Sequence, residues 1–175
     1  MITETERLIL RPWREEDRDE LAAMVADPNT MVDYPAPQDR AESDVRFERY
    51  SRTFERVGYA RWCLRLRENN DFVGYCGIQP LEADHPIGEG PEIGWRLRRV
   101  HWGKGYASES ARASLCDGFG RCGMAEVFSY TTTVNARSEA VMRRIGLERL
   151  EAKDFVHPDG DRYIVYVARR PAGAA

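Results

Sequence analysis

A junction between a strand pattern and a helix pattern, at residues 98–107, restricts the fold of this chain more than any other segment. Its sequence, RRVHWGKGYA, follows an alternating stretch and opens a helical pattern. At the start of a helix the first backbone N–H groups have no helical partner, and together with the helix dipole they attract an anion. Gly103 and Gly105 let the backbone approach that anion without an intervening side chain. The junction therefore predicts a pyrophosphate site, with neighbouring lysine and arginine side chains as charged partners.

Spacing alone does not identify the anion, and a glycine-containing turn that binds nothing is the alternative. The segment is not the dinucleotide-binding fingerprint, because Ser108 stands where the third glycine of GxGxxG belongs. The phosphate-loop pattern of nucleoside triphosphatases is also absent from it.

The remaining periodicity predicts an α/β domain, built as an α+β mixed sheet with helices on both faces. Strands are predicted at 6–11, 59–67, 72–81, 91–98, 126–132, 147–154 and 162–169. Helices are predicted at 15–26, 39–57, 104–122 and 136–145. The order is therefore β-α-α-β-β-β-α-β-α-β-β. A chain of 175 residues suffices for one domain, predicted over 1–170, with a flexible tail at 171–175.

The composition argues against several classes of function. The net charge is −3, from 26 basic and 29 acidic side chains spread along the chain, which does not favour nucleic-acid or membrane-surface binding. The amino terminus is charged and no apolar run approaches the length of a membrane span, so a cytoplasmic location is expected. The 4 cysteines and 3 histidines show no metal-ligand spacing. We therefore expect reduced, mostly buried thiols and no metal.

Five short segments are more informative in combination than any one of them. They are TERLILR at 5–11, FVGYCG at 72–77, EIGW at 92–95, WGKGYASE at 102–109, and NARS at 135–138 followed by RIGL at 144–147. In this order they resemble the GNAT superfamily of N-acetyltransferases. Within it they look most like the RimJ/RimL-type branch, whose named members acetylate the amino termini of ribosomal proteins.

The resemblance implies a single domain in which two neighbouring parallel strands, here 92–98 and 126–132, splay apart and hold acetyl-CoA. The backbone at 95–97 would pair with the pantetheine amides as an added strand does. An N-cap is the alternative role for the asparagine of the fifth segment. The implied cofactor-binding residues are Trp95, Arg96, Leu97, Arg98, Arg99, Trp102, Gly103, Lys104, Gly105, Tyr106, Ala107, Ser108, Asn135, Ser138 and Met142.

Direct attack by an amine needs a group that accepts a proton, because alkyl amines are protonated at neutral pH. Glu92 is the candidate base, directly or through water; an exposed strand residue or the partner of an arginine is the alternative. A backbone N–H near Trp95 or Arg96 is the candidate oxyanion donor. Ser138 is the candidate acid for the departing thiolate, with a helix-capping serine and protonation by solvent as alternatives. Met142 stands where many members of the family carry a tyrosine that acts as the general acid. A thioether cannot donate a proton.

The sequence does not identify the acceptor. Trp13 and Tyr34 lie where this family receives it and are candidate substrate-binding residues, although buried aromatic side chains usually serve packing. An acidic run would suit a cationic amine or a solvated loop: Glu82, Asp84, Glu89 and Glu92. The histidines are expected at the surface: His85, His101 and His157.

The sequence therefore predicts an acetyl-CoA-dependent N-acetyltransferase that acts on a peptide or protein amino terminus or on a small amine. A homodimer is one possible assembly. The main alternative is a non-catalytic acyl-CoA-binding or sensing module, which the methionine at 142 favours. A further alternative is transfer to oxygen, or transfer of a longer acyl chain.

Overall fold

A mixed sheet of nine strands forms the centre of the computed structural model, which describes residues 3–158 and 160–171. The strands are β1 (Thr3–Glu4), β2 (Leu8–Arg11), β3 (Arg61–Leu66), β4 (Phe72–Pro80), β5 (Pro91–Leu97), β6 (Glu126–Thr132), β7 (Glu148–Arg149), β8 (Phe155–Val156) and β9 (Arg162–Arg169). The helices are α1 (Arg18–Ala26), α2 (Arg40–Val57), α3 (Tyr106–Gly120) and α4 (Ala136–Arg144). Short 3-10 turns cover Glu15–Asp17, Arg99–His101 and Glu151–Lys153. In space the order is β1-β2-β3-β4-β5-β6-β9-β7, and β8 pairs with β9.

The predicted order of elements is confirmed, and β6 and β9 have the predicted bounds. The strand predicted at 147–154 is wrong, because β7 and β8 are separated by a 3-10 turn. Both pair with β9, but from Arg149 to Phe155 the chain advances six residues while β9 advances only three, from Tyr166 to Tyr163. The surplus residues cannot stay in the ladder and coil into the turn. The short strand β1 was not predicted, and the helix predicted at 15–26 begins as a 3-10 turn.

Helices cover both faces of the sheet, as predicted. On the face that we call the α3/α4 face, Leu115 and Met142 pack against sheet residues such as Ile93. On the opposite, α1/α2 face, α1 and α2 bury a separate cluster that includes Leu21 and Phe47. A third cluster lies beside β6 and β9 and consists of Ile87, Phe128, Val165 and Val167.

Capping residues explain where α2 begins and ends. Asp39 accepts a hydrogen bond from the backbone N–H of Glu42, and the Glu42 side chain accepts one from the N–H of Asp39, which forms a capping box. At the other end Gly58 adopts a φ of 78°, the left-handed conformation that stops a helix. Both ends of α2 are therefore set by residues next to the helix in the chain.

Strands β5 and β6 form a parallel pair that opens almost at once. Their register contains one pair of residues, Glu92 and Phe128. The next link is a side-chain hydrogen bond, from Ser129 Oγ to the Ile93 carbonyl oxygen at 2.9 Å. Beyond that point β5 continues beside β4, and β6 continues beside β9. The two strands therefore separate and leave a gap between them, as the family resemblance implied.

Several smaller expectations have mixed outcomes. All four cysteines are free; Cys63 and Cys76 are buried, whereas Cys116 is exposed. The prediction that His101 lies at the surface is wrong, because His101 is only 7% exposed and its ring packs near Tyr106. Within 3–158 and 160–171, no helix is long and apolar enough to cross a membrane, and no cluster of metal-ligating side chains occurs. Of the predicted tail, residues 172–175 lie outside the described residues.

Candidate active site

A cavity of about 990 Å³ opens where β5 and β6 separate. Three elements supply most of its wall: the end of β5, the junction into α3, and the start of α4. Eleven of the predicted cofactor residues line it: Trp95, Arg96, Leu97, Trp102, Gly103, Gly105, Tyr106, Ala107, Ser108, Asn135 and Ser138. Four predicted residues are not part of its lining: Arg98, Arg99, Lys104 and Met142.

The glycines of the junction have the backbone conformations that the sequence argument requires. Gly103 and Gly105 have φ values of 75° and 84°, in the left-handed region that favours glycine. Gly105 is the N-cap of α3 and offers no side-chain cap. The N–H groups of the first helical turn, beginning at Tyr106, therefore remain available to an anion in the cavity.

Basic side chains surround this helix start, and apart from Arg99 they were not among the predicted cofactor residues. The guanidinium groups of Arg137 and Arg99 each lie 4.5 Å from the ring centroid of Trp102, which they flank. Arg112 donates to the Arg144 carbonyl oxygen at 2.7 Å, and Arg144 donates to Ser108 Oγ at 3.2 Å. Arg112, Arg137 and Arg144 all line the cavity, so its wall carries positive charge. In the sequence, the one feature that could have identified these arginines is their helical spacing: Arg112 lies on the helix that follows the junction, and Arg137 and Arg144 lie on the helix that follows Asn135.

The amino-terminal segment forms a further part of the wall. Thr5 Oγ1 donates to Glu109 at 2.6 Å, and Arg7 Nε donates to the same carboxylate at 2.7 Å. Arg7 also donates to the Lys104 carbonyl oxygen at 2.9 Å. Burial would raise the pKa of Glu109, but these hydrogen bonds outweigh it and lower that pKa. The segment around Thr5 is thus attached to the first turn of α3.

Asp33 links the two sides of the gap. Its carboxylate accepts from both terminal nitrogens of Arg96 on β5, at 2.6 and 2.9 Å, and from Asn135 Nδ2 at 3.1 Å. Burial would raise the pKa of Asp33, but the hydrogen bonds and charge of Arg96 lower it. Asn135 Oδ1 accepts from the Ser138 N–H, so Asn135 caps α4 while it lines the cavity. Asp33 was not among the predicted site residues, because its partners lie far away along the chain.

Glu92 forms a largely buried ion pair with Arg61 on the α1/α2 face. Arg61 extends from β3 across β4, where it donates to the Gly77 carbonyl oxygen, and reaches Oε1 of Glu92 on β5. The guanidinium lies over Gly94, where a Cβ would be 2.7 Å from Nη2 of Arg61. Of the two structural roles that the sequence left open for Glu92, the arginine partner is the one observed; Oε2 makes no hydrogen bond within the described residues.

The other candidate residues are divided between the cavity and the core. Ser138 lines the cavity. Met142 is 1% exposed and packs in the core of the α3/α4 face, so its side chain does not reach the cavity. Trp13 is also buried; it packs between Phe47 and Phe72 and donates from Nε1 to the Arg61 carbonyl oxygen at 2.7 Å. Packing is therefore the observed role of Trp13.

Aromatic side chains adjoin Glu92 on the α1/α2 face. Tyr130 of β6 lies two residues beyond the last β5–β6 pair, and its ring centroid is 4.8 Å from that of His85. Phe155 contacts both rings. Burial, and next the charge of Glu92, raise the pKa of Tyr130, whereas burial lowers the pKa of His85. These shifts favour the neutral form of both side chains.

Comparison with known protein families places a domain described as "Acetyltransferase (GNAT) domain" on residues 7–148. Among curated proteins, YkkB of Bacillus subtilis (strain 168) is 29% identical over 144 residues, which cover 82% of this chain and 83% of YkkB.

Solved structures agree in fold. The acetyltransferase from Agrobacterium tumefaciens str. C58 is 26% identical, with a TM-score of 0.83 over 97% of this chain and 94% of the other. The RimL ribosomal L7/L12 alpha-N-protein acetyltransferase, solved in complex with coenzyme A, has a TM-score of 0.76 at 18% identity, over 97% of this chain and 98% of the other. At that identity the likeness to RimL concerns the fold alone.

Proposed function

The chain belongs to the acetyltransferase (GNAT) domain family, and from that premise we propose that it transfers acetyl from acetyl-CoA to a primary amine by direct attack in a ternary complex. Members of this family are acetyl-CoA-dependent acyltransferases. The observation that carries the proposal is the coincidence of two features: β5 and β6 separate after one pair of residues, and the cavity at that gap ends on the open first turn of α3. An extended arm fits the gap, and a pyrophosphate fits the helix start.

The residues that would hold acetyl-CoA follow from the lining of the cavity. The N–H groups that begin at Tyr106, with Gly103 and Gly105, would bind the pyrophosphate. Arg137 and Arg112 supply charge for the remaining phosphate oxygens. Lys104 and Arg98, which lie outside the lining, contribute only long-range charge in this proposal. The β5 edge at 95–97 would pair with the amides of the pantetheine arm.

The acceptor would approach from the α1/α2 face, opposite the cofactor cavity. At the point where the strands separate, the side chains on that face are those of Glu92 and Tyr130, and the guanidinium of Arg61 covers Gly94. Oε2 of Glu92 remains free to accept the proton of the amine, directly or through a water molecule. Arg61 fixes the carboxylate in place from the other side. Glu92 therefore orients the nucleophile as well as serving as the candidate base.

The departing thiolate needs a proton, and Ser138 is the proposed donor. It lines the cavity at the first turn of α4, whereas Met142, at the usual tyrosine position, is buried in the core. The oxyanion of the tetrahedral intermediate would be bound by a backbone N–H of β5 near Trp95 or Arg96.

The absence of a tyrosine at position 142 favours a second candidate, an acyl-CoA-binding module without turnover. Such a protein would keep the open helix start and the gap but would have no efficient proton donor for the thiolate. Binding alone is then expected, whatever amine is offered.

Thermal unfolding with and without acetyl-CoA, together with a thiol-release assay over amines and peptides, tests the proposal. A ligand bound only by the folded state raises stability by about 2.7 kcal/mol at one hundred times its dissociation constant. Stabilisation with thiol release, and a product heavier by one acetyl group, supports the enzyme. Stabilisation without release from any acceptor supports the binding module. No stabilisation at saturating acetyl-CoA contradicts both.

A further inference from the structure

Arg46, on the second turn of α2, is a buried arginine whose hydrogen-bond partners are all neutral. It is 9% exposed. Nε donates to Gln38 Oε1 at 2.9 Å, and Nη1 donates to the hydroxyl groups of Tyr50 at 3.2 Å and Tyr75 at 3.0 Å. The other buried arginines all contact carboxylates: Arg11, Arg61 and Arg65. Across 3–158 and 160–171, no carboxylate pairs with Arg46.

Burying a cation without a counter-ion costs several kcal/mol. It is therefore important whether any partner of Arg46 can carry a negative charge. The nearest group that could become an anion is the phenol of Tyr75. Burial would raise the pKa of Tyr75, but the charges of Arg46, Arg96 and Arg61, together with a hydrogen bond to Tyr50, outweigh it and lower that pKa to about 8. At neutral pH most of the phenol is still protonated. The positive charge of Arg46 therefore remains largely uncompensated by the chain itself.

The third nitrogen of this guanidinium, Nη2, is available to a ligand. Nη2 makes no hydrogen bond within the described residues. It is nevertheless not one of the fully buried polar atoms that lack a partner, and it is therefore in contact with solvent. The ring of Tyr34, itself 39% exposed, lies 5.9 Å from the Arg46 guanidinium and 4.6 Å from that of Arg96. Tyr34 was a candidate substrate-binding residue in the sequence, and its ring lies beside this guanidinium.

The Arg46 guanidinium lies on the acceptor side of the proposed transfer point. Tyr75 is paired with Arg96 across β4 and β5, and Gly77 is paired with Gly94 in the same ladder. Two residues along a strand span roughly 7 Å. The backbone of Tyr75, whose hydroxyl accepts from Arg46, is therefore displaced by on the order of 7 Å along the ladder from the Gly77–Gly94 pair.

The charges along this face leave one place for an anionic group, beside the point where the amine would react. At the transfer point the charge of Glu92 is balanced by Arg61, and further along the charge of Arg96 is balanced by Asp33. The uncompensated buried charge is that of Arg46. We propose that the acceptor is zwitterionic: its amine occupies the Glu92 end, and a carboxylate several atoms away binds Nη2 of Arg46. This inference rests on the proposed acetyl transfer and specifies the class of its acceptor.

Two kinds of molecule present this chemistry, a free ω-amino acid and a peptide amino terminus followed by an acidic side chain. Matched acceptors separate them in the thiol-release assay: 6-aminohexanoate against 6-aminohexanamide, and an alanyl-glutamyl peptide amide against its glutaminyl counterpart. A charge-assisted hydrogen bond is worth about 1.5–3 kcal/mol, or about 10- to 150-fold in kcat/KM. We expect the carboxylate to be preferred by at least about 10-fold in one of the two pairs, and that pair identifies the source.

Substituting Arg46 tests whether this residue causes the preference for acceptors that carry a carboxylate. Arg46→Gln should bring the ratio of carboxylate to amide kcat/KM to about one, and Arg46→Lys should keep part of it. Arg52→Gln, an exposed arginine on the same helix, should retain the wild-type ratio. If Arg46→Gln does not fold, hexanoate, which carries the carboxylate without the amine, should still inhibit the wild-type enzyme competitively with the acceptor, and hexanamide should not; equal inhibition by both would overturn the inference. The inference is overturned if wild type shows no carboxylate preference in either pair, or if Arg46→Gln folds and keeps the preference. Absence of thiol release from every acceptor, amides included, would instead contradict the proposed acetyl transfer.

Discussion

Replacing Gly94 with alanine tests how firmly the chain holds the ion pair at the proposed transfer point. Arg61 reaches Glu92 only by lying over Gly94, and it also donates to the Gly77 carbonyl oxygen on the way. A Cβ on Gly94 would lie 2.7 Å from Nη2 of Arg61 and 3.0 Å from its Cζ. These distances are shorter than van der Waals contact, so the guanidinium would have to shift away from Gly94, and its contact with Glu92 would be disturbed.

The size of the effect follows from two opposing contributions. Separating a buried ion pair so that one charge is left without its partner costs about 3–5 kcal/mol. Alanine in place of a strand glycine returns about 0.5–1 kcal/mol, because glycine loses more conformational entropy on folding. We therefore expect Gly94→Ala to lower the free energy of unfolding by about 2–4 kcal/mol. For a chain of this length that corresponds to a fall in Tm of roughly 4–16 °C.

Urea unfolding of wild type and Gly94→Ala measures this difference. Gly120→Ala is the matched control, because Gly120 is the last residue of α3 and no atom of another element lies within 4 Å of the position that a Cβ would take there. A second measurement uses Arg61→Ala as background, in which Gly94→Ala should change the free energy of unfolding by less than about 1 kcal/mol. Equal losses in both backgrounds, or no loss in wild type, would refute the explanation that Arg61 occupies the space over Gly94.

Three further predictions address the cofactor site, the core and the chemistry. Gly105→Ala places a side chain at a φ of 84° and should cost about 1–2 kcal/mol of stability, with a smaller rise in Tm on adding acetyl-CoA. Asp17→Asn should cost about 3–5 kcal/mol at pH 7 in urea unfolding. Burial would raise the pKa of Asp17, but hydrogen bonds from Arg11 and Arg65 lower it, so its stabilisation should fade as the pH falls below about 4. Glu92→Gln should lower kcat by about 100-fold or more while acetyl-CoA still stabilises the protein.

Each of these predictions has an outcome that contradicts it. An unchanged acetyl-CoA effect in Gly105→Ala would remove the backbone at the helix start from the cofactor site. A constant difference between wild type and Asp17→Asn down to about pH 2 would mean that ionisation of Asp17 does not contribute. A kcat for Glu92→Gln within about threefold of wild type would exclude Glu92 as the base, provided that urea unfolding confirms a folded variant.

Local patterns account for the parts of the fold and site that the sequence predicted well. Runs rich in apolar, aromatic and β-branched residues fix β6 and β9 to the residue, and both strands bury side chains on both sides of the pleat. The helix start at Gly105 depends on the backbone freedom of glycine and on the unpaired N–H groups that follow it. Both are properties of a few consecutive residues, so neighbouring residues suffice to recognise them.

The sequence predictions failed where contacts with a different strand or helix determine the structure. The segment predicted as one strand at 147–154 has a strand-like pattern, but its pairing with β9 needs fewer residues than it contains. His101 sits in a loop by sequence, yet packing near Tyr106 buries it. Met142 was placed in the cleft because of its family position, whereas its helix turns that side chain into the core.

By itself the sequence determined the order of the elements, the opening into α3 and the family, because each is encoded in local spacing. Only the tertiary structure decided which charges meet. Arg61 and Glu92 are 31 residues apart, and Arg96 and Asp33 are 63 apart. Arg46 is set apart by the lack of any carboxylate beside it within the described residues, which no local pattern reveals. Such pairings depend on strand register and helix docking, and these bring together side chains whose separation along the chain carries no record of their contact.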